Sequence, residues 1–260
     1  MKKTAFGLLF LLCISAAAQE NYPKDAFRSP MDIPLALAGN FGELRSNHFH
    51  SGIDIKTQQR EGLPIYAIGD GSATRIKISH WGYGKVLYIA HPNGYTSVYG
   101  HLQKFAPEIE EYIKKVQYAK RSYEVEVFPD FGEVKVEKGQ VIAYGGNTGS
   151  SSGPHLHFEI RSSVTEKPTN PLFYGLEVLD ATNPSLVKLF GYPLSEGSQI
   201  NKSDQRVALN FKRQKDGTFK ADKVTAIGTI GLGIIAFDRQ DLAANKNGVY
   251  SVEQSLNGKV

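Results

Sequence analysis

Two short stretches of this sequence carry groups that bind metals and move protons. "PHLHFEI" sets His155 and His157 one residue apart, and "HFHSGID" sets His50 four residues before Asp54. Side chains alternate along an extended chain, so His155 and His157 look the same way, with Leu156 and Phe158 on the other side. If the second stretch is also extended, His50 and Asp54 share a face, with the small Gly52 between them. Imidazole nitrogen and carboxylate oxygen are standard zinc ligands, at about 2.0–2.2 Å. Three such ligands and one open position, filled by water, make a catalytic site rather than a structural one. A lone strand histidine is ordinarily a hydrogen-bonded or surface residue. Both patterns together, with His101 of "YGHL" between them, point to one site. Spacing alone does not choose between His155 and His157 as the ligand.

The elements that must hold these residues read as strands and turns. "LPIYAIGDGSATRIKIS" alternates around the turn Gly69-Asp70-Gly71, and "GKVLYIAHPNGYTSVYGHL" is a hairpin turning at Pro92-Asn93-Gly94. "GEVKVEKGQVIAYGGNTG" continues the pattern into a polar, glycine-rich loop, residues 145–153, expected to form one wall of a site. "APEIEEYIKKVQYAKRS" breaks the rhythm. Pro107 stands at a helix start, acids fill the first turn, and Ile109, Tyr112, Ile113 and Val116 recur at helical spacing. This surface helix is expected to border the site and restrict access to it. The remaining candidates carry weaker chemistry. His48 reads as a rim residue, His80 and His91 as solvated strand-end residues, and Glu159 as a surface carboxylate that could instead orient a ligand. Tyr99 shares a face with His101 and reads either as lining the groove or as a packing residue.

Composition and termini bound the context. The 260 residues suffice for one large domain or two small ones, and 13 tyrosines, 14 phenylalanines and 26 glycines lean toward strands and tight turns. "MKKTAFGLLFLLCISAAAQE" has a basic start, an apolar run too short to span a bilayer, and a small-residue cleavage site, so residues 1–18 read as a secretory leader. Cys13 is the single cysteine and leaves with that leader, so a metal in the mature chain needs nitrogen and oxygen ligands. Losing Lys2 and Lys3 takes two charges from a formal +4, too little to argue for nucleic acid. No other stretch is long and apolar enough for a transmembrane span. Residues 19–34 read as an irregular lead-in, 35–175 as the site-bearing domain, and 176–260 as the start of a β-rich accessory domain. "SLNGKV" opens a hairpin whose return strand is missing, so the sequence reads as cut short.

Taken in order, "HFHSGIDI", "GLPIYAIGDGSATRI", "GYGKVLYIAHPNGYTSVYGHL" and "KGQVIAYGGNTGSSSGPHLHFEIR" resemble the lysostaphin/LytM-type zinc endopeptidases of peptidase family M23, over about residues 40–161. The resemblance implies a mainly β fold: an antiparallel peptidase core crossed by a groove, here with one inserted helix and a partial, sandwich-like C-terminal region. It implies one zinc ion held by His50, Asp54 and His157, with His101 and His155 handling the water and the transition state. It further implies cleavage of peptide cross-links in peptidoglycan. With the leader, that places the chain in the periplasm or envelope of a Gram-negative bacterium, or outside the cell. No glutamate resembles an H-E-x-x-H base, so histidine must serve. The segment from about 103 to 136 is longer than the link expected there, which bears on substrate choice. A rival expectation is a non-catalytic module that binds and regulates a cell-wall amidase; such modules should lack ligands that are all present here.

Overall fold

The computed structural model describes residues 22–259, so the leader read over residues 1–18 lies outside the described residues. Twelve short strands and one helix run in the order β1 (Leu37–Gly39), β2 (Ile53–Lys56), β3 (Pro64–Tyr66), β4 (Gly71–Ile78), β5 (Lys85–Ala90), β6 (Tyr95–Gly100), β7 (Leu102–Phe105), α1 (Pro107–Lys120), β8 (Val125–Val127), β9 (Lys135–Val136), β10 (Val141–Gly145), β11 (His155–Ser162) and β12 (Pro168–Thr169). The main sheet is antiparallel in the order β1-β2-β11-β6-β5-β4-β8, with β12 beside β11 and β9 beside β4. A second antiparallel sheet, β3-β10-β7, packs against it.

Alternation decides which side of the main sheet is core. Ile53 and Ile55 of β2, Leu87 and Ile89 of β5, Tyr99 of β6, and Leu156, Phe158 and Ile160 of β11 are buried together with Ile65 and Ile142 of the smaller sheet. Burying each such side chain stabilises the fold by about 1.5–3 kcal/mol. The intervening residues face the other way: Val86, Tyr88 and Val98 form a small separate cluster against Tyr83. His155, His157 and Glu159 belong to that second face.

The helix forms where its periodicity predicts. Pro107 opens it, Glu108 and Glu110 occupy its first turn, and Lys120 its last. Arg121 closes it in a left-handed conformation, donating its N–H to the carbonyls of Gln117 and Tyr118. Ile109 and Ile113 are buried in the main core, so the helix docks beside β7 and β8. The expectation that it borders the groove is not met: among the described residues, none of 106–122 lines it.

After the one-turn helix at Pro171–Tyr174, the chain forms β13 (Ser185–Pro193), β14 (Gln199–Ile200), β15 (Val207–Leu209), β16 (Phe211–Arg213), β17 (Phe219–Ala221), β18 (Ala226–Ile227) and β19 (Ile230–Phe237). They pair as β15-β13-β19, β14-β18 and β16-β17. The last pair turns at Gly217, whose positive φ of 87° suits glycine, at the Lys215-Asp216-Gly217 turn read in the sequence. Among the described residues no helix is long and apolar enough to cross a membrane.

Candidate metal centre and groove

Strand register brings the principal residues together. β11 pairs with β2 so that His157 lies opposite Asp54, and with β6 so that His157 lies opposite Gly100. His50 is not on β2. It comes from the loop before it, where its N–H donates to the Glu43 carbonyl and its own carbonyl accepts from Gly42. Gly52 makes that approach possible: a Cβ there would lie 2.3 Å from the Phe158 carbonyl oxygen. The H-x-x-x-D spacing therefore reflects a loop pressed against β11, not a continuous strand. His101 sits between β6 and β7 with φ of +58°, a left-handed conformation uncommon outside glycine. Its backbone N–H donates to the Tyr83 carbonyl at 2.8 Å.

The hydrogen bonds assign the imidazole tautomers. His50 Nδ1 lies 2.8 Å from the Asn40 carbonyl, so it carries the proton and Nε2 presents a lone pair. His157 Nε2 lies 2.8 Å from Glu159 Oε1, so it donates and Nδ1 is free. These two free nitrogens are 3.0 Å apart. Asp54 Oδ1 stands 3.0 Å from His157 Nδ1 and 3.1 Å from His50 Nε2. Three lone pairs thus meet with no donor hydrogen among them, an arrangement that repels unless a cation or proton joins it. A tetrahedral zinc at about 2.1 Å from each donor needs donors roughly 3.4 Å apart. The triangle is close to that size, and the donor set is the nitrogen and oxygen set that zinc accepts. The residues present therefore fit the ion.

A second layer fixes these donors. Arg45 donates to Asp54 Oδ2 at 2.9 Å, leaving Oδ1 for the site. Glu159, fully buried, gathers His157 Nε2, the Ser51 hydroxyl at 2.7 Å, the Tyr83 hydroxyl at 2.5 Å and the Arg161 guanidinium. Burial would raise its pKa, but His157 and Arg161 outweigh that and bring it down to about 2. Burial would likewise raise Asp54, yet the imidazoles of His155, His157 and His50 around it, which take up a proton where no cation joins them, hold it well below the usual carboxylate range. Burial would lower His157, but Asp54 and Glu159 draw it above its ordinary value. A cation at the triangle competes with that proton. Tyr83 also stacks on the His157 ring, centroids 4.6 Å apart. Gly100 leaves room for both, since a Cβ there would lie 3.3 Å from His157 Cβ.

His101 and His155 are held differently. His101 Nδ1 donates to the Thr148 carbonyl at 2.8 Å and His155 Nδ1 to the Gly153 carbonyl at 2.8 Å. Each ring therefore offers Nε2. Their centroids are 4.7 Å apart, and His155 Nε2 is 3.5 Å from Asp54 Oδ1. Burial, then the neighbouring His155, lowers His101 to about 4. All five residues line an open groove of about 1170 Å³, with Ser150, Ser151, Ser152 and Gly153 on one side as the loop composition predicts.

The weaker candidates divide. His48 is exposed on the groove rim and His80 is exposed beside Glu124. His91 departs from the expectation that it is solvated: it is 6% exposed, with Nδ1 on the Asp70 carbonyl and Nε2 on the Ser97 hydroxyl, each at 2.8 Å. Glu159 departs from the surface reading because its strand position faces inward, under Tyr83. Tyr99 packs in the core; the turn at His101 takes that residue off the face that alternation would give it. Sequence reasoning missed Arg45, Tyr83 and the Asn40 carbonyl. Their distance from the motifs, or in the last case their being backbone, left no pattern to read.

A family model described as Peptidase family M23 matches residues 48–119 and 131–171, its break falling inside the 103–136 segment. The chain is 32% identical over 139 residues to the DD-carboxypeptidase/endopeptidase Mpg of Neisseria meningitidis serogroup B, covering 54% of this chain and 26% of that protein. It is 30% identical over 162 residues to the peptidoglycan DD-endopeptidase ShyB of Vibrio cholerae, covering 62% of this chain and 32% of that one. The chain thus spans about a quarter to a third of the length of these relatives. Among solved structures, the catalytic domain of the prophage-encoded M23 protein EnpA from Enterococcus faecalis overlays with a TM-score of 0.41 at 25% identity, covering 60% of this chain and 98% of that one.

Proposed function

We propose that this chain, whose residues 48–119 and 131–171 match the model of peptidase family M23, is a zinc endopeptidase that hydrolyses peptide cross-links of peptidoglycan in the envelope of a Gram-negative bacterium. One observation carries the reading: three converging lone pairs lie beside two imidazoles whose Nε2 atoms face an open groove. Zinc held by His50 Nε2, Asp54 Oδ1 and His157 Nδ1 would supply a Lewis acid and a bound water with a pKa of about 7. The chain's own groups supply the rest. His101 and His155, each with Nδ1 held by a carbonyl, keep Nε2 as proton acceptors. Because their rings adjoin, a second positive charge on the pair is disfavoured, so one proton at a time resides there. That proton comes from water at the scissile carbonyl, and the resulting imidazolium Nε2–H then donates to the developing oxyanion or to the leaving amine.

The substrate class is supported by relatives named peptidoglycan DD-endopeptidases and by the open groove beside the donors. The test is digestion of defined cross-linked muropeptides by the purified protein, with and without chelator, with products identified by mass. Chelator-sensitive release of monomers is expected, with loss in His50→Ala. A protein that binds wall fragments but leaves them intact would instead support the regulatory module.

A further inference from the structure

β1 is an edge strand of the main sheet, so one side of its backbone has no partner strand. Leu37 presents its polar groups on that side. Its N–H donates to Gln240 Oε1 at 2.7 Å, and its carbonyl accepts from Asn245 Nδ2 at 3.1 Å. An amide side chain offers the same donor and acceptor types as a peptide group, so these two stand in for a neighbouring strand. Gln240 and Asn247 are buried. The loop that presents them, residues 238–248, follows β19. Asp238 and Asn247 close its base with paired backbone hydrogen bonds of 2.8 and 2.9 Å, and Asp241 ties it to Thr182, hydroxyl to carboxylate at 2.7 Å. Both β1 and this loop lie outside the residues matched by the family model.

What the loop holds leads to the metal donors. β1 pairs with β2 so that Gly39 lies opposite Asp54. Gly39 leaves room for the Arg45–Asp54 ion pair, since a Cβ there would lie 2.4 Å from Arg45 Nη2 and 2.6 Å from Asp54 Oδ2. The next residue, Asn40, is pinned at both ends. Its backbone carbonyl accepts from His50 Nδ1 at 2.8 Å, and its Nδ2 donates to the Gly248 carbonyl at 2.8 Å. Two of the three donors therefore take their position from residues 37–40. Those residues are held by β2 on one side and by loop 238–248 on the other. Metal sites depend on such support, because ligands work only within about 0.5 Å of the productive geometry.

We infer that loop 238–248 is a positioning element of the metal centre: Gln240, acting through Leu37, and the Gly248 carbonyl, acting through Asn40, hold Asp54 and His50 where their lone pairs meet that of His157. This rests on the proposed zinc site. Without Gln240 Oε1 the Leu37 N–H loses its buried acceptor, and β1 must shift to find another. Gly39 and Asn40 shift with it, and the triangle of donors loosens. The C-terminal region thereby sets the zinc affinity of the site while contributing no ligand to it.

The test uses the full chain and five proteins. They are wild type; Gln240→Met, which removes the acceptor and keeps the length; Gln240→Glu, which keeps an oxygen there; Asn40→Ala, which cuts the bond to Gly248 and leaves the backbone carbonyl; and Leu209→Ala. Leu209 is buried in β15, at the opposite edge of the C-terminal sheet from β19, so its truncation reports general destabilisation. Each is measured for zinc Kd, by competition with a chelating dye, and for the melting temperature of the metal-free protein. Gln240→Met and Asn40→Ala should each raise the zinc Kd on the order of 10-fold. Gln240→Glu should restore most of the affinity, and Leu209→Ala should lower the melting temperature with the Kd of wild type. Gln240→Met and Asn40→Ala variants that bind zinc as wild type does, or a Leu209→Ala variant that loses as much affinity as they do, overturn the inference and leave the zinc reading intact. Should Gln240→Met fail to fold, Asn40→Ala decides alone. A wild type that binds no zinc overturns both.

Discussion

Two histidines lie on opposite faces of the same sheet, both almost fully buried and both with each ring nitrogen engaged. His91 faces the core, between the Asp70 carbonyl and the Ser97 hydroxyl, with Phe27 against its ring. His157 faces the groove, between Asp54 and Glu159, 3.0 Å from a second imidazole. Burial lowers the pKa of His91, whereas two carboxylates override burial and raise that of His157. Burial and a polar neighbour at each ring nitrogen are common to both. What separates a structural histidine from a candidate metal ligand here is the charge of its neighbours, and whether a lone pair, rather than a hydrogen, points at them.

Removing a lone pair from the triangle has the largest consequence. Asp54→Ala or His157→Ala should abolish stoichiometric zinc and with it detectable cleavage, read by metal analysis and muropeptide assay. His101→Ala comes next and divides binding from chemistry. Zinc content should be unchanged while kcat falls on the order of 10²–10⁴-fold, since His101 touches none of the three donors by hydrogen bond. Loss of zinc in that variant would place His101 among the ligands and erase the distinction between the two pairs of imidazoles. Glu159→Gln keeps a hydrogen-bond acceptor for His157 but removes the charge, so zinc affinity, measured by competition with a chelating dye, should weaken about 10–100-fold.

The smallest effect belongs to His91. Its folded pKa lies below the unfolded value near 6.5, so the unfolded chain binds a proton more readily. The stability this residue contributes is present above that pH and is lost as pH falls below it. His91→Gln should leave zinc content and kcat near wild type and should reduce the drop in melting temperature between pH 7 and pH 5. An equal or steeper drop would show that His91 is not held neutral.

The sequence exposes the site unevenly, for physical reasons. The two-residue period of a strand places His155, His157 and Glu159 on one face from the letters alone, and the structure keeps them there. The same rule fails for His50, which reaches the site from a loop that Gly52 lets lie against β11, and for Tyr99 and His101, where a left-handed residue breaks the alternation. The helix is visible from its period, but the face it docks on is not, because that depends on which strands neighbour β7 and β8. Arg45, Tyr83 and Gln240 act across 9, 76 and 203 residues of sequence from their partners Asp54, Glu159 and Leu37. Only the folded topology joins such pairs. His91 reads as solvated because it borders a Pro-Asn-Gly turn, and it is buried because the lead-in residue Phe27 covers it.

The central claim is that His50, Asp54 and His157, and not His101 or His155, hold a catalytic ion. It is tested most directly by diffraction from zinc-soaked crystals of the full chain, collected on either side of the zinc absorption edge. The account predicts one anomalous peak per chain, about 2.0–2.2 Å from His50 Nε2, Asp54 Oδ1 and His157 Nδ1, with a remaining coordination position open to the groove. A peak coordinated by His101 or His155, or no peak at the triangle, would contradict it.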